Sequence, residues 1–590
     1  MKTNVLLSLL LLLFVSCSQQ KSEVMSSELP PISNVYDSFY EGCLSLDPIN
    51  GNYSGINRYY DTLTNNLTID FREKEVEHYQ THLTKIQQYD RETLSESDQV
   101  NYDIIVWVAK NKLEADHSFI RYLPINQFHS MNLTVAQFAS GSSIQPFTSV
   151  EDYENWLKRL EDYTMWLDTA KVNMEKGISL GYVHPESIVK KIIPQFEGMA
   201  TTPLKEHLFY SPIKNMPEAF SEEEKSELDS KYQEIIKDEI IPRYQDLAAF
   251  FKTDYLQASR ATSGIGQLPS GQSYYQNQIG NWTTTTLSAD SIFDLGMSEV
   301  ARIRKEMENI KSEVGFDGGL LEFFNHVRTK KDLMPFTDPQ EVLDNFNNIH
   351  ERMAPQLKKL FSVKPKTPFI VKRTEAFREK SASAEYNAGS PDGSRPGVFY
   401  VPIPDITSYN VYADEDLFLH EAIPGHHYQI MLTLENESIP AFRKFTMSGA
   451  YVEGWALYSE SLGKELGLYE DPYQYFGMLS AEMHRAIRLV VDVGLHYKGW
   501  TREEAIAFSL ENEAESEASI ISEIERYMVL PAQALSYKIG QLTIMGLRQK
   551  AEESLGEEFD IRVFHTIVLE AGDMPVTVLE NRVRNWIEAK

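Results

Sequence analysis

The residues best suited to chemistry in this chain lie in one short stretch of its C-terminal half. Three of the fourteen histidines fall within eight residues of one another, namely His420, His426 and His427. Glu421 directly follows the first of them. In zinc hydrolases of the His-Glu-x-x-His type, two histidines one helical turn apart bind the metal, and the glutamate polarises the bound water. This stretch therefore predicts a metal site with hydrolytic chemistry.

The spacing of these histidines departs from the usual motif, because Pro424 stands four residues after His420. On an unbroken helix His426 would point about 120° away from His420, and His427 would share its face about 10.5 Å further along. Pro424 removes one helical hydrogen bond and Gly425 permits unusual dihedral angles. We therefore predict a local bulge that brings His426 beside His420.

Two alternatives remain open at this turn. In the first, His427 takes the place of His426 as the second ligand. In the second, the helix ends at Ile423 and the three histidines are unrelated polar side chains. The clustering of three imidazoles beside a glutamate favours a metal site over this second alternative.

A third ligand is expected from residues 452–460, which read Val-Glu-Gly-Trp-Ala-Leu-Tyr-Ser-Glu. As a helix the stretch is apolar around nearly its whole circumference, so a carboxylate within it is costly unless it is paired or binds a metal. Glu453 lies 27 residues after His426 (453 − 426 = 27), enough for an antiparallel return. We predict Glu453 as the third ligand, with a salt bridge to an arginine as the alternative. For Glu460, one heptad later, that salt bridge is the favoured interpretation.

Together these residues predict a catalytic zinc site. His420, His426 and Glu453 hold the ion and leave one position open, as in zinc hydrolases. Glu421 acts as general base for the attacking water and later donates a proton to the leaving amine. Zinc is inferred from ligand type alone, and similar ligands accept other divalent metals.

Several stretches of the chain resemble a known family. They read His-Glu-Ala-Ile-Pro-Gly-His-His at 420–427, Glu-Gly-Trp-Ala-Leu-Tyr at 453–458, Arg-Leu-Val-Val-Asp-Val-Gly-Leu-His at 488–496, and Pro-Ala-Gln-Ala-Leu-Ser-Tyr-Lys-Ile-Gly at 531–540 after Arg526-Tyr527. With Leu-Pro-Ser-Gly at 268–271, they resemble domain-of-unknown-function family 885, which also shares the proline at 424. The resemblance covers almost all of the mature chain. It implies a bacterial secreted protein or lipoprotein similar to zinc metallopeptidases, with a helical, cleft-containing architecture like that of neurolysin and angiotensin-converting enzyme.

Residues nearer the C-terminus offer supporting roles. Arg526, Tyr527 or Tyr537 could stabilise the oxyanion formed at the scissile carbonyl. An arginine such as Arg526 could instead hold a peptide carboxylate, which would make the enzyme a carboxypeptidase or dipeptidyl carboxypeptidase. A structural use of each is the alternative.

Asp492 and His496 stand four residues apart on one predicted helix and can therefore hydrogen-bond. This pair could orient a metal ligand, or His496 could contact the substrate. A satisfied core histidine is the alternative for His496.

Most elements that must position these residues are predicted to be helices. Trp156, Leu160, Tyr163 and Leu167 follow helical spacing, which is typical of a buried helix face. The Gly-, Pro- and Ser-rich stretch 264–286 predicts a loop. The fold class is therefore mainly α.

A small β-sheet is predicted beside the metal-site helix. Its candidate strands are 369–372, 383–386 and 398–401. Val398 and Tyr400, on the last of these, could bind an extended substrate by β-augmentation. We divide the mature chain into a helical region, 35–265, and a catalytic region, 266–590, which form one cleft-containing unit.

The N-terminus predicts export and lipidation. Residues 1–16 combine Lys2 with an apolar run too short to span a bilayer, which is typical of a signal peptide. The run ends at Phe-Val-Ser-Cys, which resembles the bacterial lipobox and makes Cys17 the lipidated residue of a tether, 17–34. Ser18 rather than aspartate favours the outer membrane of the cell envelope. An ordinary signal peptide is the alternative.

Composition narrows the class of protein. The chain has 590 residues, and 56 Lys and Arg stand against 86 Asp and Glu, a net charge of −30 that argues against nucleic-acid partners. With 24% charged and 11% aromatic residues the chain is globular. We expect membrane contact through the lipid only, and the oligomeric state stays open.

The sequence thus predicts a lipid-anchored, zinc-dependent peptidase or related amide hydrolase. A metal hydrolase acting on a non-peptide amide or ester has the same site chemistry. The alternative from another class is a non-catalytic lipoprotein that binds peptides or glycans and has a structural or vestigial metal site. Metal analysis separates the hydrolases from this binding protein.

Overall fold

The protein is described here by a computed structural model that covers residues 29–590 except 54, 142, 377, 380–381 and 446–447. The mainly α class is confirmed. Before the sheet the chain contains helices α1 (Ser33–Leu46), α2 (Pro48–Tyr53), α3 (Ile69–Ile86), α4 (Glu96–Glu114), α5 (His117–Tyr122), α6 (Met131–Ala139), α7 (Val150–Leu180), α8 (Glu186–Thr201), α9 (Ser211–Lys214), α10 (Glu222–Glu234), α11 (Ile241–Phe250), α12 (Leu256–Ala258), α13 (Gly271–Thr283), α14 (Ala289–Glu313), α15 (Leu320–Thr329) and α16 (Pro339–Leu360).

A short sheet follows, with strands β1 (Phe369–Arg373), β2 (Glu385–Asn387) and β3 (Gly397–Val401). Helices then continue to the C-terminus as α17 (Asp414–Glu421), α18 (His426–Glu435), α19 (Ala441–Phe445), α20 (Gly449–Ser461), α21 (Pro472–Val493), α22 (Arg502–Asn512), α23 (Glu517–Tyr527), α24 (Ser536–Leu555), α25 (Ile561–Leu569) and α26 (Val576–Glu588).

Helix α7 shows why the sequence folds as helices here. Trp156, Leu160, Tyr163 and Leu167 are all fully or almost fully buried on its inner face, as their spacing predicts. Ser149 begins the helix with a capping box, which satisfies backbone donors that the first turn would otherwise leave unpaired. The predicted helical face is therefore confirmed.

The three predicted strands are confirmed, and their order is β1-β3-β2. β3 runs parallel to β1 and antiparallel to β2, so both of its edges are paired. Val398 lies between Ile370 and Asn387 in this register. The prediction that Val398 and Tyr400 pair with an extended substrate is therefore wrong, because a central strand has no free edge for β-augmentation.

The stretch predicted as a loop, 264–286, contains α13 and is mostly helical. Tyr275, Ile279 and Thr283 stand four residues apart, and all are fully buried. Burial of this face outweighs the local preference of the Gly and Ser residues for turns.

One hydrophobic core extends from Val35 to Val583, and therefore includes residues on both sides of position 265. A second core cluster forms around α13 and includes Leu489 and Ile539. The division of the chain at 265 and 266 stays a prediction.

The helices near the candidate site cross at unusually short distance. At Gly454 of α20, an added Cβ would lie 2.5 Å from the Cα of Gly540 on α24. Glu453 immediately precedes the first glycine, and Tyr537 lies one turn before the second. The close approach of Gly454 and Gly540 thus brings the face of α24 that carries Tyr537 towards α20, the helix that carries Glu453.

Within the part of the chain that the structure describes, none of the helices combines the length and apolar character needed to span a membrane. The predicted signal peptide and Cys17 lie outside the described residues.

Candidate metal centre

The two histidines are brought together by a break between helices rather than by a bulge in one helix. α17 ends at Glu421 and α18 begins at His426, with a four-residue connection between them. An added Cβ at Gly425 would lie 1.9 Å from the carbonyl oxygen of His420, so only glycine fits this turn. Trp455 on α20 donates a hydrogen bond to the carbonyl oxygen of Pro424 at 2.8 Å and ties the turn to the next helix.

The turn places two imidazoles beside one carboxylate. The Nε2 atoms of His420 and His426 each lie 3.7 Å from Oε2 of Glu453. One donor atom from each of these three residues lies within 4.8 Å of the other two. The side chain of Glu453 is 24% exposed and that of His426 is 12% exposed, so the group can be reached from solvent. The three predicted ligands are therefore neighbours in space.

The distances fit the size of a divalent ion. Nitrogen and oxygen ligands about 2.0–2.2 Å from a tetrahedral zinc ion lie roughly 3.3–3.5 Å from one another. The two histidine–glutamate separations of 3.7 Å are slightly longer than this value, and all three donor atoms lie within 4.8 Å of one another, so a modest closing movement would bring them to it. These residues can therefore hold a metal ion.

Glu460 fixes the orientation of His420. Its Oε1 accepts a hydrogen bond from Nδ1 of His420 at 2.6 Å, which leaves Nε2 with its lone pair facing Glu453. The expected salt bridge of Glu460 to an arginine is wrong, since its ion-pair partner in the described residues is this histidine. Carboxylates in this position commonly set the tautomer of a metal-binding histidine.

His427 is directed away from the group. Its Nδ1 lies 2.8 Å from the hydroxyl of Tyr386 on β2, and its ring packs against Phe369 on β1. His426 rather than His427 is therefore the neighbour of His420, and the sheet supports the site through His427.

Both facing imidazoles are neutral in this environment. Burial lowers the pKa of His420 well below its ordinary value, and the positive charges of Arg485 and Arg488 lower it further. Burial also lowers the pKa of His426 to about 4, although the charge of Glu453 opposes this. Neutral imidazoles offer the lone pairs that a metal requires.

Glu421 lies at the C-terminal end of α17, next to His420, and is 8% exposed. Burial raises the pKa of Glu421 to about 8, and the negative charge of Glu453 adds to this effect. The structure thus places a buried carboxyl group beside the three neighbouring donors. Its predicted role as general base stays a prediction.

Arg526 and Tyr527 lie together in a separate hydrogen-bonded cluster around Glu523. Arg526 donates to both carboxylate oxygens of Glu523, at 3.0 and 2.8 Å, and to the side chain of Gln533 at 2.7 Å. The Tyr527 hydroxyl donates to Glu523 at 2.8 Å and accepts from Nε of Arg488 at 2.9 Å. All the donor nitrogens of Arg526 thus have protein partners.

Tyr537 is the predicted oxyanion residue that lies near the ligands. Burial raises the pKa of Tyr537, and the charge of Glu453 is the next largest cause. Its ring centroid lies 4.6 Å from the guanidinium carbon of Arg488.

His496 occupies the core rather than the candidate site. Its Nδ1 accepts from the backbone N–H of Ile265 at 3.0 Å, and its Nε2 lies 3.0 Å from the carbonyl oxygen of Tyr527. Asp492 instead accepts from the Tyr275 hydroxyl at 2.6 Å, and no hydrogen bond joins it to His496 in the described residues. This geometry favours the alternative of a satisfied core histidine over substrate contact.

Sequence reasoning gave Glu460 the wrong partner and assigned no role to Arg488. The heptad spacing of Glu460 from Glu453 was the available signal for its place beside the histidines. Arg488 belongs to one of the stretches that carry the family resemblance, but the sequence around it does not predict which side chains it contacts.

Comparison with known sequences and structures places this architecture among related proteins. The sequence profile described as "Bacterial protein of unknown function (DUF885)" matches residues 48–583. No curated protein matches the chain significantly.

Two similar solved structures are described as a "putative lipoprotein". The one from Colwellia psychrerythraea is 25% identical, with a TM-score of 0.85 over 95% of this chain and 100% of that chain. The one from Shewanella oneidensis, described as of unknown function, is 20% identical, with a TM-score of 0.74 over 94% of this chain and 99% of that chain. A "putative oligoendopeptidase F" from Bacillus anthracis is 11% identical over 87% of this chain and 96% of that chain, and its TM-score of 0.25 is too low to support a shared fold.

Proposed function

This chain belongs to the bacterial family DUF885, and we propose that it is a metal-dependent peptidase or related amide hydrolase. The observation that carries the proposal is the convergence of His420, His426 and Glu453 on one small, partly exposed volume. Two neutral imidazoles and a carboxylate are ligand types that bind catalytic zinc, and related divalent ions accept the same set. When bound, the metal would supply Lewis-acid polarisation of a carbonyl group and a more acidic water molecule.

The protein residues around this group have distinct tasks in the proposed reaction. Glu421 takes the proton from the attacking water and passes it to the nitrogen of the leaving amine. Glu460 holds His420 in the tautomer that keeps its Nε2 lone pair directed at the site. Tyr537 donates a hydrogen bond to the oxygen that gains negative charge as the carbonyl group is attacked.

The geometry favours Tyr537 over Arg526 and Tyr527 for this last task. Glu523 and Gln533 engage the donors of Arg526, and the Tyr527 hydroxyl is bonded to Glu523 and Arg488. Besides burial, the negative charge of Glu453 raises the pKa of Tyr537, which indicates that Tyr537 lies near this ligand.

We place the enzyme in the bacterial cell envelope, anchored in the outer membrane by a lipid on Cys17. The lipobox-like sequence before Cys17 supports this placement. The substrate is a peptide or another amide, and nucleic acids are unsuitable partners for a chain with a net charge of −30.

The function is tested by combining metal analysis with hydrolysis. Protein purified without chelator should contain about one equivalent of metal, and His420→Ala or Glu453→Ala should remove it. Glu421→Gln should keep the metal and lose cleavage of a peptide library followed by mass spectrometry. Chelator should abolish cleavage by the natural protein.

The control is Glu470→Gln, which changes an exposed glutamate outside the site. A natural protein that binds no metal, and whose melting temperature does not respond to added zinc, would support the non-catalytic binding lipoprotein instead. Full cleavage by Glu421→Gln would reject its assigned role.

A further inference from the structure

Arg488 on α21 has a buried guanidinium group whose donors are only partly used. Its Nε donates to the Tyr527 hydroxyl, and its Nη2 lies 3.1 Å from both Glu523 and His484. Its Nη1 has no hydrogen-bond partner among the described residues, although the arginine is only 8% exposed. A buried charged donor without a partner is costly, so this group is suited to receive an acceptor from a ligand.

The acidic side chains around Arg488 do not fully neutralise the positive charge there, so the site is suited to an anion. Glu523 is shared between two arginines, because Arg526 binds the same carboxylate through two hydrogen bonds. Two guanidinium groups and one carboxylate carry one net positive charge. Glu513, the nearby second acid, is already bonded to His484 at 2.5 Å. A substrate carboxylate would complete the charge pairing at Arg488.

Arg488 is also placed near the candidate metal group. α21 packs against α17, which carries His420, and against α20, which carries Glu453. Tyr537 lies near both Arg488 and the metal group. Its ring centroid is 4.6 Å from the Arg488 guanidinium carbon, and the charge of Glu453 adds to burial in raising the pKa of its hydroxyl. A peptide bound at the metal group would therefore have Arg488 within reach of its next residues.

We propose that Nη1 of Arg488 binds the α-carboxylate of a peptide substrate, so that the substrates are peptides cleaved near a free C-terminus. The inference rests on the proposed function, because it assumes that the metal group is where the substrate lies. It assigns to Arg488 the carboxylate recognition that the sequence suggested for Arg526. An arginine fits this task because its planar fork matches a carboxylate and its charge is permanent.

The test uses one set of tetrapeptides without Asp or Glu, synthesised both as free acids and as C-terminal amides. Cleavage by the metal-loaded protein is followed by mass spectrometry. The natural protein should cleave the free acids at least about 10-fold faster than the amides. Arg488→Gln should slow cleavage of the free acids by about 10- to 100-fold and change that of the amides by less than about 3-fold. Arg488→Lys should restore part of the preference.

Arg526→Gln is the matched comparison, because it disturbs the same Glu523 cluster but leaves Nη1 of Arg488 in place. It should preserve the ratio of acid to amide cleavage. Loss of that ratio in Arg526→Gln but not in Arg488→Gln would move carboxylate recognition to Arg526. An equal fall for acids and amides in Arg488→Gln would instead identify a role in the reaction or in folding, and would overturn the proposal.

Binding separates this inference from the proposed function. The same peptides are mixed with the metal-loaded Glu421→Gln protein, and the retained fraction is measured by ultrafiltration. Retention of acids over amides that disappears in Glu421→Gln/Arg488→Gln would support the inference even if no peptide is hydrolysed. Equal retention of acids and amides by the parent variant would overturn it. Preferential retention of amidated peptides ending in Asp or Glu would show that a side-chain carboxylate, rather than the terminal one, is recognised.

Discussion

Among single residues, Glu460 has the most direct control over the candidate metal centre without being one of its ligands. It is 1% exposed, and its carboxylate holds the imidazole of His420 through a 2.6 Å hydrogen bond. A negative acceptor at Nδ1 makes the opposite nitrogen a better ligand. Nδ1 of His426 is buried and has no such partner among the described residues. A carboxylate therefore orients the imidazole of His420 but not that of His426.

We therefore expect Glu460→Gln to lower metal affinity by about 10- to 100-fold. The amide can still accept from His420, but it removes the negative charge that strengthens the ligand. Competition with a chromophoric chelator measures the affinity, and circular dichroism checks the fold. Glu470→Gln is the control. Unchanged affinity in Glu460→Gln would show that the hydrogen bond to His420 does not influence metal binding.

The residues of the site differ in how far the sequence predicts them. Glu453 could be predicted because a carboxylate in an apolar helix requires a partner. The Arg488 nitrogen that lacks a partner among the described residues could not, because it depends on how Glu523 is shared between Arg526, three residues away, and Arg488, 35 residues away. The same holds for His496, whose partners come from Ile265 and Tyr527.

The close crossing of helices α20 and α24 determines how near Glu453 and Tyr537 lie to each other. An added Cβ at Gly540 would lie 1.9 Å from the carbonyl oxygen of Ala450 and 2.7 Å from the Cα of Gly454. The contacts are with backbone atoms, which cannot move aside as a flexible side chain can. The two helices would have to separate.

Gly540→Ala should therefore destabilise the protein by about 1–3 kcal/mol and weaken metal binding. Gly546→Ala, on the same helix, is the matched control, because no atom of the described residues lies within 4 Å of its added Cβ. It should raise stability by about 0.5–1 kcal/mol, since alanine favours a helix more than glycine does. Urea unfolding measures both. Equal effects of the two substitutions would contradict the account of the crossing.

Elements were predicted where the period of apolar residues is long and regular, as in α7, and where a short β-branched run is flanked by turn residues, as in β3. The sequence predicts a bulge where the structure has a break after Glu421, because local chemistry shows that a helix is disturbed but not whether it resumes along the same axis. The sequence predicts a loop instead of α13, because the burial of Tyr275 and Ile279 depends on residues distant in sequence.

Over the whole molecule, the helices before and after position 265 are joined by buried polar contacts as well as by the core. Arg443 on α19 donates to Asn101 on α4 at 3.0 Å and to the carbonyl oxygens of Ala571 and Asp573, both at 2.7 Å. One side chain thus connects three distant parts of the chain. Buried charges of this kind are destabilising to break.

The attachment of the whole molecule to the membrane is predicted to depend on Cys17 alone. Cys17→Ser should move the protein from the membrane fraction to the soluble fraction of the cell envelope, because a lipid chain cannot be attached to serine. Fractionation followed by immunoblotting measures this. Cys43→Ala is the control, because Cys43 is buried and free. Membrane attachment that survives Cys17→Ser would indicate an ordinary signal peptide and another means of attachment.

The four-residue connection between α17 and α18 has a consequence for finding such sites in other chains. Pattern searches that demand a second histidine four positions after the first pass over an arrangement in which the second comes six positions later, at the start of a new helix. A search that accepts a proline and a glycine as the joint between two short helices, and then asks for a lone acid in a later apolar helix, would retrieve candidates that the stricter pattern discards.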